Sequence, residues 1–154
     1  MRKLTKRYII STLNQLHLSK PIRYERYYIN NNLRVQLKNN KYEKEILDNE
    51  NNIIQKIEIS KNEFLKLKER KSSEIIRDSY LFLEDKRISI KKYYGKYLGL
   101  YRVEVSFCSD EEEKNYKKEN WMDKEITNYP LAFDVYLSKI SKNQFKQELD
   151  KYLK

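Results

Sequence analysis

The sequence predicts an α+β protein: an antiparallel sheet of about eight strands, with a few short helices laid over one of its faces. Three observations carry this. Apolar and polar residues alternate with period two along most of the chain, three separate segments carry helix-capping boxes, and 2 Gly and 2 Pro in 154 residues leave no low-complexity linker. A chain of this length fits one domain, spanning 1–154, with one sizeable core.

The elements follow in order. "KLTKRYII" puts Lys3, Thr5 and Arg7 on one face of a strand and Leu4, Tyr8 and Ile10 on the other. "NLRVQLK" sets Leu33, Val35 and Leu37 against Arg34, Gln36 and Lys38; two asparagines then turn the chain into "KYEKEIL", which makes a hairpin. "NIIQKIEI" sets Ile53, Ile57 and Ile59 against Lys56 and Glu58. Ser60 and Glu63 form a capping box that opens a helix, because the cap hydroxyl and the third side chain satisfy orphan backbone donors. "EIIRDSYLFLED" and "RISIKKYY" make a second pair, with Arg77 and Ser79 sharing a face, as do Arg87, Ser89 and Lys91. "YRVEVSF" turns Val103, Val105 and Phe107 one way and Arg102, Glu104 and Ser106 the other. Ser109 with Glu112, and Ser141 with Gln144, start two more helices, the last carrying a stripe of Phe145, Leu149, Tyr152 and Leu153. Such helices suit the apolar face of the sheet. Periodicity leaves open whether the charged face meets bulk water or closes inward around a wet lumen.

Composition narrows the chemistry. A net charge of +10 favours anionic partners, whether nucleic acid, nucleotides, polyphosphate or a membrane surface. The enrichment in Lys, Asn, Ile and Tyr is that of an AT-rich genome, so part of the charge is compositional. The basic start "MRKLTKRYIISTLNQLHL" lacks a signal-peptide core, and no run approaches the roughly 18 apolar residues of a membrane span, so a cytoplasmic protein is expected. One cysteine and one histidine exclude an internal disulfide and a His/Cys zinc site. Cys108, beside Phe107, reads as a half-buried thiol, and His17 as structural or solvated.

From Ile88 to Thr127 the sequence "ISIKKYYGKYLGLYRVEVSFCSDEEEKNYKKENWMDKEIT" resembles the C-terminal half of the CYTH superfamily, the triphosphate tunnel metalloenzymes. Gly95, Gly99, Leu100, Glu104, Phe107, Ser109, Glu111 to Glu113, Trp121, Lys124, Glu125, Ile126 and Thr127 follow the family's order. "KLTKRYII", "NLRVQLK", "KIEIS" and "IIRDSY" match its earlier strands more loosely. The resemblance implies a closed or nearly closed eight-stranded antiparallel barrel with helices outside and the polar face inward. In that fold basic residues hold a triphosphate and carboxylates hold Mg²⁺ or Mn²⁺.

Carried over residue by residue, the acidic set is depleted. Lys3 and Thr5 stand where the first strand has carboxylates, Lys91 replaces an acid before the glycine, and the acidic pair of the later strand is reduced to Glu104 followed by Ser106. Glu58, Glu104 and Glu125 remain as catalytic candidates, with Glu104 the residual metal-ligand candidate. The basic set persists in Arg7, Arg34, Lys44 and Arg77, supplemented by Lys3 and Lys91. A one-residue shift of the strand at Lys44 would turn Glu43 or Glu45 inward instead. Hard cations need oxygen ligands, and ammonium groups in their place repel the metal. The expectation is therefore a protein that binds a triphosphate, nucleotide or related phosphorylated small ligand without a metal cofactor. The alternatives are a divergent Mg²⁺- or Mn²⁺-dependent triphosphatase or nucleotide cyclase, and a nucleic-acid binder using the outer basic surface and 14 tyrosines.

Overall fold

The structure, a computed structural model, describes residues 4–153. Eight strands form one sheet: β1 (Thr5–Ile10), β2 (Ile22–Asn30), β3 (Leu33–Lys38), β4 (Lys41–Leu47), β5 (Ile53–Glu58), β6 (Ser73–Leu81), β7 (Ile88–Tyr93) and β8 (Tyr101–Ser106). Their spatial order is β1-β8-β7-β6-β2-β3-β4-β5, and each neighbouring pair is antiparallel. The ladder begins at β1 and ends at β5, so the barrel is nearly closed. Residues 123–126, which include the Lys-Glu-Ile segment, run along the outer edge of β1. There Ile9 N–H donates to the Lys124 carbonyl at 3.0 Å and Ile126 N–H to that of Arg7 at 2.7 Å.

The β3–β4 hairpin closes through Asn39 and Asn40, with φ of 50° and 65°. Two successive positive φ values define the primed turn whose twist matches the strands, and asparagine tolerates them. Four α-helices accompany the strands among the described residues: α1 (Lys61–Lys68), between β5 and β6, and then, after β8, α2 (Asp110–Asn115), α3 (Asp134–Lys139) and α4 (Lys142–Leu153). The capping boxes start three of them. Ser60 Oγ accepts from Glu63 N–H and Ser109 Oγ from Glu112 N–H, each at 3.1 Å, while Ser141 and Gln144 bond reciprocally at 3.1 and 3.0 Å.

Three apolar clusters hold the barrel. On the outer face of β1, β7 and β8, Tyr8, Ile10, Ile88, Ile90, Val103 and Val105 are buried with Phe82 and Met122, and Trp121 packs on Phe82 at 5.1 Å. Burying each such aliphatic side chain is worth about 1.5–3 kcal/mol. Outside β2 to β4, Phe64 of α1 meets the rings of Tyr27 and Tyr42 at 5.9 and 4.9 Å. The third cluster lies on the inner face. Ile9, Tyr28, Ile75 and Tyr93 share the parity of the charged inward residues, but they pack against Leu131, Leu137, Ile140 and Phe145 from the C-terminal segment. One end of the lumen is thus apolar core, and the charged side chains occupy what remains.

One expectation changes and another holds. Cys108 is exposed, because the chain leaves β8 before it. His17 is solvated as expected and lies 2.7 Å from Glu84. Among the described residues no helix is long and apolar enough to cross a membrane.

Candidate functional site

The period-two pleat decides which side chains meet inside the barrel. Arg7 lies opposite Glu104, Lys91 opposite Arg102 and Ser79, Arg34 opposite Glu45, and Arg77 opposite Tyr24 and Tyr93. These residues share one face. All of them but Glu45 and Tyr93 line a cavity of about 320 Å³, with Arg7, Arg26, Arg34, Arg77, Lys91 and Arg102 as its cations, and with Glu104 and Asp134 as its carboxylates. Tyr24, Tyr28, Ser79 and the segment Ala132–Val135 complete much of the wall. The volume falls within the usual range for small-molecule sites.

Asp134, the first residue of α3, is the hub. Its Oδ2 accepts from Arg26 Nη1 at 3.1 Å and from Arg77 Nε at 3.2 Å, while its Oδ1 accepts from the Tyr93 hydroxyl at 2.6 Å and lies 3.2 Å from Arg102 Nη1. Burial alone would push this carboxyl up, but Arg102, Arg77, Arg26 and Tyr93 together hold it well below the usual carboxylate range. It is ionised at any physiological pH. Arg102 Nη1 also donates to the Ala132 carbonyl at 2.8 Å, which ties the wall segment to β8. Even so, Arg77 Nη1 and Arg102 Nε are buried with no hydrogen-bond partner. A buried unpaired donor is costly, so such atoms mark places where a further acceptor would be stabilising.

The other charges are arranged in pairs. Arg34 Nε donates to Glu45 at 2.8 Å, and Lys56 lies 3.4 Å from the other Glu45 oxygen. Burial raises the Glu45 carboxyl, but Arg34 beside it, together with Arg26 and Lys56, lowers it on balance. Arg7 Nε donates to Glu104 at 3.2 Å. The Lys91 amine donates to the Ser89 hydroxyl at 2.6 Å. Burial pushes the Lys91 amine down to about 7, with Glu104 opposing and Arg77 and Arg102 adding to the fall. Aromatic rings support the guanidiniums, with Arg77 4.4 Å from the Tyr24 centroid and Arg7 5.4 Å from that of Phe133.

The residues singled out from sequence divide clearly. Arg7, Arg34, Arg77, Lys91 and Glu104 line the cavity. Lys3 lies outside the described residues. Lys44 faces outward, 3.6 Å from Glu63 of α1, because the register puts Glu45 opposite Arg34; it is Glu45 that points inward. Glu58 is exposed on the terminal strand β5, opposite Glu43, and does not line the cavity. Glu125 is exposed on the segment flanking β1 and accepts from the Thr127 hydroxyl at 2.6 Å. Neither reaches the cavity wall, so the three carboxylates do not converge. Sequence reading missed Arg26, Tyr93 and Asp134 altogether, and did not rank Arg102. Arg102 had a signal, the parity it shares with Glu104.

The tunnel fold raises the question of a divalent cation. Mg²⁺ and Mn²⁺ take oxygen ligands, with carboxylates prominent among them. Among the described residues no group of three or more His, Cys, Asp or Glu side chains comes together. The two carboxylates on the wall face guanidiniums, Glu104 meeting Arg7 and Asp134 meeting three arginines. This donor set does not fit a divalent cation.

Solved structures that share this architecture include two that cover most of the chain. One, described as the inorganic triphosphatase NE1496, superposes with a TM-score of 0.75 at 16% identity, covering 90% of this chain and 99% of that one. The other, described as the hypothetical protein NE1496, gives 0.74 at 15% identity, with 89% and 97% covered. No family model and no curated protein matches the sequence. At such identities the likeness establishes the fold, and the chemistry has to be argued from the cavity.

Proposed function

We propose that the cavity of this chain, which has the triphosphate tunnel fold, binds a short phosphate chain, either tripolyphosphate or the triphosphate of a nucleotide, without a divalent cation. One observation carries the reading. Six cationic side chains from six strands surround about 320 Å³, whereas the wall has two carboxylates, each already facing arginine. With Lys91 protonated, and with the inward Glu45 that pairs with Arg34 counted beside Glu104 and Asp134, that leaves an excess of three positive charges around the cavity. Guanidinium forks match phosphate oxygens bidentately, and an ammonium adds a mobile point charge. Rings beside Arg77 and Arg7 limit their motion, so little side-chain entropy is lost on binding.

Calorimetric titration with tripolyphosphate in EDTA tests this. The wild-type chain should bind one equivalent. Arg77→Gln and Arg7→Gln should each weaken binding by about 10- to 150-fold, the cost of a lost charged hydrogen bond. Heat-free titration of a folded wild-type sample, confirmed by unchanged thermal stability, would refute the reading.

A second reading, cleavage of the same ligand, is favoured by the likeness to a protein described as an inorganic triphosphatase. Its residues narrow to Glu104, since Glu58 and Glu125 lie off the cavity. Phosphate release that Glu104→Gln abolishes, with folding and binding intact, would support it.

A further inference from the structure

The most heavily bonded group in the cavity is itself an anion. Side chains from four strands, Arg26 of β2, Arg77 of β6, Tyr93 of β7 and Arg102 of β8, converge on the Asp134 carboxylate. Three guanidiniums and a phenol around two oxygens are the surroundings that a phosphate oxygen pair would require.

We propose that Asp134 is a resident anion occupying the innermost anion position of the cavity, and that it thereby sets how many phosphates a bound chain places inside. The inference rests on the phosphate-binding reading above. Two further observations support it. First, Asp134 has nowhere to withdraw. Leu131 and Leu137 on either side are fully buried against Ile9, Ile75 and Tyr93, the apolar end of the lumen. The carboxylate is a fixed floor, not a movable lid. Second, it leaves donors over, because Arg77 Nη1 and Arg102 Nε have no partner. A phosphate that enters the cavity is drawn to the guanidiniums of Arg77 and Arg102, which line it together with Asp134. The negative charge of Asp134 on the same wall then repels a second anion at close range.

Asp134 is accordingly a specificity-determining residue for chain length. Asp134→Ala frees three guanidiniums and the space between them; Asp134→Asn keeps the shape and removes the charge. The readout is the ratio of the affinities for tripolyphosphate and diphosphate, measured by calorimetry in EDTA. A purely structural role would weaken both ligands alike and leave the ratio unchanged.

The proposal predicts that Asp134→Ala raises the preference for the longer chain by about tenfold or more, the worth of one added charged hydrogen bond. Asp134→Asn should raise it less. Millimolar formate should restore both the wild-type ratio and the thermal stability of Asp134→Ala by refilling the vacated position. An unchanged ratio in both variants overturns the proposal. So does a failure of both variants to fold with formate or phosphate present, because a solution anion would then be unable to take the carboxylate's place. If the wild-type chain binds neither phosphate, the site reading itself falls and this inference with it.

Discussion

Phosphate binding should take up a proton at Lys91, and the size of the effect follows from its surroundings. The amine is buried between Arg77 on β6 and Arg102 on β8, with Glu104 on β8, Asp134 on α3 and the Ser89 hydroxyl on its own strand. Burial, reinforced by the two arginines, brings it down to about 7 from the ordinary 10.5. In the empty protein the unfolded chain holds the extra proton between those values. Stability therefore rises with pH across that window, and is lost as pH falls toward 7. A polyanion reverses the preference by favouring the charged amine. Affinity should be flat below about pH 7 and should then fall by up to tenfold per unit. From the low-pH plateau to about pH 9 this amounts to roughly a hundredfold, or about 2.7 kcal/mol. The ligand's own ionisation is removed by comparison with Lys91→Met. Calorimetry in two buffers of different ionisation enthalpy should show uptake approaching one proton at about pH 8.5 in the wild type and none of that uptake in Lys91→Met. Equal pH slopes and equal proton uptake in the two proteins would refute the reasoning.

Other outcomes follow from the geometry. Glu45→Ala leaves Arg34 and Lys56 without their shared carboxylate. It should cost about 3–5 kcal/mol, read as a lower urea midpoint at unchanged slope. Lys44→Ala removes a partly exposed pair with Glu63; stability should change by less than about 1 kcal/mol, and tripolyphosphate affinity in calorimetry not at all. Ser60→Ala deletes the cap of α1 and should cost about 1 kcal/mol in the same urea titration.

The sequence made most of the sheet legible, because period-two alternation survives wherever one strand face is apolar. The strand carrying Val103, Val105 and Phe107 opposite Arg102, Glu104 and Ser106 is such a case, and its polar face does turn into the cavity. β2 is hard to read from sequence for the opposite reason. In "IRYERYYIN", Tyr24, Arg26 and Tyr28 point one way and Arg23, Glu25 and Tyr27 the other, so both faces mix aromatic with charged residues and the polarity signal cancels. Arg26 was lost with it. Lys44 failed through register, since a one-residue slip exchanges the faces of a strand, and the pairing of Glu45 with Arg34 decides which face turns inward. Asp134 had no local signature. It starts a six-residue helix without a side-chain cap, and its importance comes from four strands that only the folded barrel brings together.

The central claim is a cation-lined cavity that holds phosphate unaided by metal, and the thermal stability of the chain with tripolyphosphate in EDTA, then in Mg²⁺ or Mn²⁺, tests it most directly. At ligand about a hundredfold above Kd, the account predicts a rise of about 5–10 °C in EDTA that added metal does not enlarge. A rise that appears only when the metal is present would contradict it.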